Sequence, residues 1–187
     1  MGLTFSNNAM KVILRLVLGL LSVAFLSKEI PAQVVQAKEN LQVSLKDLRN
    51  APAEIVLNGK SLSLTTYPWR DFMPSTISGP DGSPLMVVLK VATSDKQAFP
   101  SGVRMDRAWV LFGEQIWEAS DFRSQVKPSP EEDGWIICSV APVCEATIRR
   151  GPKWGPGVFV DVVLRLTDKE GQHHLIQAPK QLIQRSD

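Results

Sequence analysis

Histidine, cysteine and long apolar runs are all scarce in this 187-residue chain, and each scarcity removes a class of function. The two histidines, His173 and His174, are adjacent. Neighbours in a strand point to opposite faces, so this pair is not arranged to serve one metal or one nucleophile. The two cysteines, Cys138 and Cys144, match neither the CxxC spacing of a redox pair nor a zinc pattern. No GxSxG, HExxH or phosphate-cradling glycine loop occurs. Nothing in the carboxylate spacing selects a pair for glycosidase chemistry. Met73, Met86 and Met105 form no cluster with a histidine that would single out copper, and methionines in this number usually fill cores. The expectation is no catalytic residue, no metal site and no cofactor, with a hydrolase of unrecognised site ranked last.

The one extended apolar stretch, Val12 to Leu26, falls short of the roughly 20 residues that a membrane-spanning helix needs. It also carries Arg15. Lys11 and Arg15 lead into Leu16–Leu26, and Val35-Gln36-Ala37 makes a small-residue cleavage site before Lys38. That order is the pattern of an export signal. We therefore expect a signal helix in residues 1–37 and a single domain in residues 38–187, secreted or periplasmic. An uncleaved anchor through residues 12–26 is the alternative, and the only membrane contact expected. Met10 is an alternative start. Taking Lys11, Arg15, Lys28 and Glu29 from totals of 21 basic and 19 acidic residues leaves 18 of each. The mature region has no basic excess, which argues against a nucleic-acid partner.

The remaining residues alternate with a period of two. Val158, Val160, Val162, Leu164 and Leu166 are apolar, while Asp161, Arg165 and Thr167 lie between them. A half-buried strand has this pattern, whereas a helix would scatter those positions over several faces. Leu62 and Leu64 alternate with serines, and Leu85, Val87, Leu89 and Val91 form another stripe. Arg104–Phe112 is apolar on both faces, as expected of a central strand. Asn58-Gly59, Gly113-Glu114 and Asp168–Gly171 read as hairpin turns. Residues 39–50 fit a helix through Leu41, Leu45 and Leu48, or a strand through Leu41, Val43 and Leu45. The fold expected is an all-β, antiparallel sandwich of about seven to nine strands.

An exported chain meets an oxidising compartment, so Cys138 and Cys144 are expected to pair. With a three-residue loop between them they read as a staple across one hairpin. The true immunoglobulin pattern, two cysteines joining opposite sheets around a tryptophan, is not expected from cysteines six apart.

Two segments stand out. Tyr67–Pro74 contains Trp69, Arg70, Asp71 and Phe72; Gly151–Gly157 contains Lys153 and Trp154. Each sets a tryptophan beside a cation in a rigid, proline-framed stretch. As a binding surface, the aromatic rings stack on a sugar or a cation while Arg70, Asp71 and Lys153 supply hydrogen bonds. As architecture, the same residues plug the sandwich ends, with Arg70 and Asp71 bonded to loop backbone. Trp109, Trp117 and Trp135 read as core or interstrand residues. The WRDFMP and GPKWGPG segments, together with the strand rhythm, resemble uncharacterised exported bacterial proteins with an immunoglobulin-like or fibronectin-III-like sandwich. That resemblance covers most of the mature chain and implies export and a sandwich, without an activity. The function expected is a non-enzymatic binding or accessory module that contacts an envelope or extracellular protein. A carbohydrate ligand at Trp69/Trp154 is the alternative, ahead of copper.

Overall fold

Inner rows of alternating apolar side chains organise the strands into two antiparallel sheets. The computed structural model describes residues 43–73, 79–123, 136–138 and 142–187. The expected signal segment, its cleavage site, Trp135 and residues 139–141 lie outside those residues. The first sheet contains β1 (Glu54–Leu57), β2 (Lys60–Asp71), β3 (Leu85–Thr93), β8 (Val143–Gly151) and β6 (Phe122–Arg123), in that spatial order. The short β11 (Gln184–Ser186) runs parallel to the end of β2. The second sheet is ordered β10 (His173–Leu182), β9 (Phe159–Thr167), β4 (Arg104–Phe112), β5 (Gln115–Ala119). β7 (Ile136–Ile137) also pairs with β4. The two sheets stack face to face in a sandwich-like arrangement. Leu62, Leu64, Val87, Leu89, Ala146 and Ile148 from one meet Met105, Val110, Val162, Leu164, Leu166 and Ile176 from the other in a single buried cluster.

The count of eleven described strands corrects the seven to nine expected. The additional pieces β6, β7 and β11 have two or three residues each, too few for alternation to show in the sequence. The turn chemistry is as expected. Asn58 and Gly59, with φ of 51° and 76°, join β1 to β2; Gly113, with φ of 58°, opens the β4–β5 turn. β10 continues well beyond Gln177, through a bulge at Pro179-Lys180 where the Lys180 amide donates to Asp161 Oδ1 at 2.8 Å.

β4 is central, and α1 (Leu45–Arg49) covers the outer face of its second half. Its outer residues Trp109 and Leu111 pack with Val163 beneath Leu48 and Ala51. Leu48 belongs to α1, so a helix is realised in the described part of the ambiguous stretch, while Leu41 lies outside the described residues. A capping box closes α1: Ser44 Oγ accepts from the Asp47 amide at 3.2 Å, and Asp47 Oδ2 accepts from the Ser44 amide at 3.1 Å. A helix this short owes its stability to the apolar face it covers.

The cysteines pair, with Cα atoms 5.2 Å apart, but the hairpin staple is corrected. Cys138 follows β7, which belongs to the second sheet, and its amide donates to Val103 O at 2.9 Å. Cys144 lies in β8 opposite Val91, in the first sheet. The bridge therefore ties one sheet to the other, with both cysteines inside the intersheet core. Among the described residues no helix is long and apolar enough to cross a membrane.

The β9–β10 turn carries a buried carboxylate. Asp168 accepts from the Gln172 amide at 2.8 Å and pairs with His174 Nε2 at 2.9 Å. The His174 bond, more than any other cause, lowers the Asp168 pKa, with burial opposing it.

Reducing Cys138–Cys144 should leave the fold intact but lower its stability by about 2 kcal/mol, the loop-entropy value for so small a ring. Urea unfolding with and without reductant measures this, and complete unfolding on reduction would contradict it. A carboxylate lowered in the folded state stabilises above its unfolded pKa of about 4, and that stability fades as pH falls through the folded value. Asp168→Asn should therefore unfold at lower urea than the parent at pH 6, and the difference should shrink toward pH 2.5.

Candidate functional site

Arg70 prolongs the inward row of β2. Leu62, Leu64, Pro68 and Arg70 are buried, while the alternate residues Thr65, Tyr67 and Trp69 face outward. Past the apolar core, that row ends in a guanidinium that is only 3% exposed. Backbone carbonyls receive it. Nε donates to Ser83 O at 2.8 Å, Nη1 to Lys153 O at 3.2 Å and Trp154 O at 3.0 Å, and Nη2 to Asp81 O. Burial pushes the guanidinium pKa down and the charge of Asp81 partly restores it. A planar fork of five donors can serve several carbonyls at once, which an ammonium cannot do from one point.

The neighbouring candidates are engaged in the same corner. Two cations approach the Phe72 ring, with Arg70 Cζ 4.9 Å and Arg185 Cζ 4.2 Å from its centroid. The Phe72 amide donates to Ser186 O of β11 at 2.8 Å. Gly82, at φ of 72°, lies against it: an added Cβ would come within 2.9 Å of Phe72 Cδ1 and of Asp71 O. Asp71 Oδ1 accepts from the Met73 amide at 2.9 Å, a local turn bond. The Asp71 amide donates to Ser83 Oγ at 2.8 Å.

The other proline-framed segment meets this corner through its backbone. Lys153 gives Arg70 its carbonyl, and its side chain is exposed. Trp154 Nε1 donates to Gln115 Oε1 at 2.7 Å, and its ring packs 5.5 Å from Phe112 on the core side. Trp69 instead leaves β2 on the face opposite Arg70. Of the six candidates, Arg70, Asp71, Phe72 and the backbone of Lys153 and Trp154 converge, while Trp69 stands on the other side of the first sheet.

Trp69 belongs to a different surface. It pairs across strands with Met86, and Tyr67 pairs with Val88. Trp69, Met86 and Val88 are half-buried and Tyr67 is 50% exposed. Among the described residues the only helix lies on the other sheet, and none covers this outer row. The sequence already contained its signal, since Tyr67 and Trp69 are two apart on an alternating strand, but the proline-framed motif drew attention to Trp69 alone.

The histidines part as expected. His173 Nδ1 meets Thr167 Oγ1 at 2.9 Å on the outer face, whereas His174 turns to Asp168. Among the described residues no three His, Cys, Asp or Glu side chains are grouped to hold a metal.

No family model matches the chain. No curated protein matches it either. Among solved structures, a protein described as ApaA from Bordetella pertussis is similar over 72% of this chain and 97% of its own, with 9% identity and a TM-score of 0.39.

Replacing the buried fork should loosen the corner as a unit. Arg70→Met leaves up to four carbonyls without their donor and should cost about 2–4 kcal/mol. Arg70→Lys, with a point charge in place of a fork, should recover only part of that. Urea midpoints measure the loss, and faster proteolysis within 79–84 and 151–157 locates it. A midpoint unchanged in Arg70→Met would refute the assignment.

Proposed function

We propose that this chain is an exported, non-enzymatic binding or accessory module of immunoglobulin-like sandwich type, acting by contact with another protein of the envelope or extracellular space. The observation that carries this reading is the outward row Tyr67, Trp69, Met86 and Val88 on β2 and β3. Apolar and aromatic residues grouped on a sheet face that no described helix covers supply the desolvated centre that protein contacts use. Its rim is polar, with Thr65 exposed and Lys90 in an ion pair with Glu145 at 3.0 Å. The signal-like residues 1–37 and the Cys138–Cys144 bridge agree with an oxidising compartment.

The convergent corner around Arg70 supports the architectural role of that motif, because its donors are spent on the protein's own carbonyls. A carbohydrate ligand is the second reading. It is favoured by Tyr67 and Trp69 offering two rings from one face, which moves the stacking surface from Trp69/Trp154 to Trp69/Tyr67.

Photo-crosslinking in the native host tests the choice. A crosslinker at position 67 of the full chain should give a discrete protein adduct that Trp69→Ser abolishes, while one at position 169 gives none. The Trp69→Ser chain should keep its urea midpoint within about 1 kcal/mol, as expected for a surface position. Absence of a protein adduct, together with tryptophan fluorescence that responds to envelope polysaccharide, would replace the protein partner with a glycan.

A further inference from the structure

The aromatic row of the first sheet ends beside a break in β8. Leu85 pairs with Gly151 and Val87 with Ile148, so β3 has one residue, Met86, where β8 has two, Arg149 and Arg150. Ile148 lies in the core, and Gly151 returns inward, where an added Cβ would meet the Trp117 ring at 2.6 Å. Both arginines therefore occupy the outward step between them, opposite Met86, and both are exposed. Bulges of this kind re-aim side chains and concentrate near functional sites.

The bulge holds Arg150 at a φ of 67°, in the left-handed region that glycine enters without strain. A long cationic side chain is thus kept where the backbone favours none. Strain of this sort persists where the surrounding structure imposes it, and it clusters at sites that bind.

Strand register sets the two arginines in line with the aromatic row. Trp69 faces Met86 across β2 and β3, and Met86 faces the bulge; in the next row Tyr67 faces Val88 and Val88 faces Thr147. Thr65, Lys90 and Glu145 form the third row, closed by the Lys90–Glu145 ion pair at 3.0 Å. Arg123 of β6, beside Thr147, is paired with Asp121 at 3.1 Å. Asp71, beyond Trp69, accepts from the Met73 amide. Arg149 and Arg150 have no ion-pair partner among the described residues. The face is therefore apolar at Trp69 and Met86 and carries two solvent-open guanidinium groups on its β8 side. Adjacent strands lie about 4.8 Å apart, which separates Trp69 from the bulge by about 10 Å.

Taking the protein-contact reading of this face as given, we propose that the partner docks through an acidic segment. Its carboxylates pair with Arg149 and Arg150, while a neighbouring apolar side chain lies over Trp69 and Met86. Guanidinium forks receive carboxylates through two parallel hydrogen bonds, which orient the partner as well as attract it. Charge complementarity selects this occupant, because a basic segment would be repelled by the two unpaired cations. Tryptophan, tyrosine and arginine are also the side chains that most often anchor protein interfaces.

Photo-crosslinking from position 67 of the full chain in the native host, with the crosslinked peptide mapped by mass spectrometry, tests this. The stretch of partner recovered should carry more Asp and Glu than Lys and Arg. Arg150→Gly relieves the left-handed φ and removes the charge. Its urea midpoint should hold or rise while adduct yield falls about tenfold, as for loss of one charge-assisted bond. Arg149→Gln, which keeps a non-glycine residue in the bulge, should lower the yield similarly. Lys169→Gln, the same charge change on the β9–β10 turn, should not. An adduct that survives both arginine substitutions, or that maps to a basic or uncharged stretch, would overturn the acidic segment and leave the protein contact standing. An equal loss of yield in Lys169→Gln would overturn it as well. No adduct from position 67 in the parent chain would refute the protein contact and the acidic segment together.

Discussion

Burial of the two inner rows against each other determines where the other side chains stand. Once Leu62, Leu64, Val87 and Leu89 turn toward Val110, Val162, Leu164 and Ile176, their strand neighbours must turn away. Trp69 is excluded from the core side because Arg70 is on it. Thr167 reaches the outer face because Leu166 is buried. Register has little freedom here, since slipping one residue would expose an entire apolar row. The two outer faces then meet different fates: α1 covers part of one, and the other presents Tyr67, Trp69, Met86 and Val88.

Arg70 is the polar end of this apolar constraint. Its aliphatic stem continues the inner row, and its guanidinium binds carbonyls of residues 81, 83, 153 and 154. Four carbonyls from two separate stretches would otherwise compete for water at the sandwich end. A hydrophobic plug would fill that space but leave those acceptors unmatched. Phe72, in contact with Arg70 and Arg185, extends the same corner to β11.

The strands and turns were legible because their signals are local. Val158–Leu166 alternates, Asn58-Gly59 accepts positive φ, and Asp168–Gly171 closes a hairpin. The candidate residues were legible as types and not as an arrangement. Trp69, Arg70 and Phe72 are close in sequence, yet adjacent residues of a strand part to opposite faces, and Trp154 joins them only because its carbonyl meets Arg70. The disulfide was legible as a pair and misread as a hairpin staple, since a gap of six residues does not say whether the chain turns within a sheet or passes between sheets. The placing of Arg107, Arg165 and His173 on one sheet face left no local trace at all. It depends on a one-residue bulge in β4 and on the register of three strands.

The amino-acid sequence by itself determined the all-β class, the principal hairpins, the pairing of the two cysteines and the equal numbers of basic and acidic residues in 38–187. Each of these rests on periodicity, on residue-specific backbone freedom or on counting, none of which needs a distant partner. Tertiary structure alone decided which sheet each strand joins, that Cys138–Cys144 ties the sheets together, that Arg70 faces inward among carbonyls, and that Arg107 and Arg165 stand opposed. Those outcomes depend on contacts between residues tens of positions apart, and such contacts exist only after both sheets have closed over a shared core.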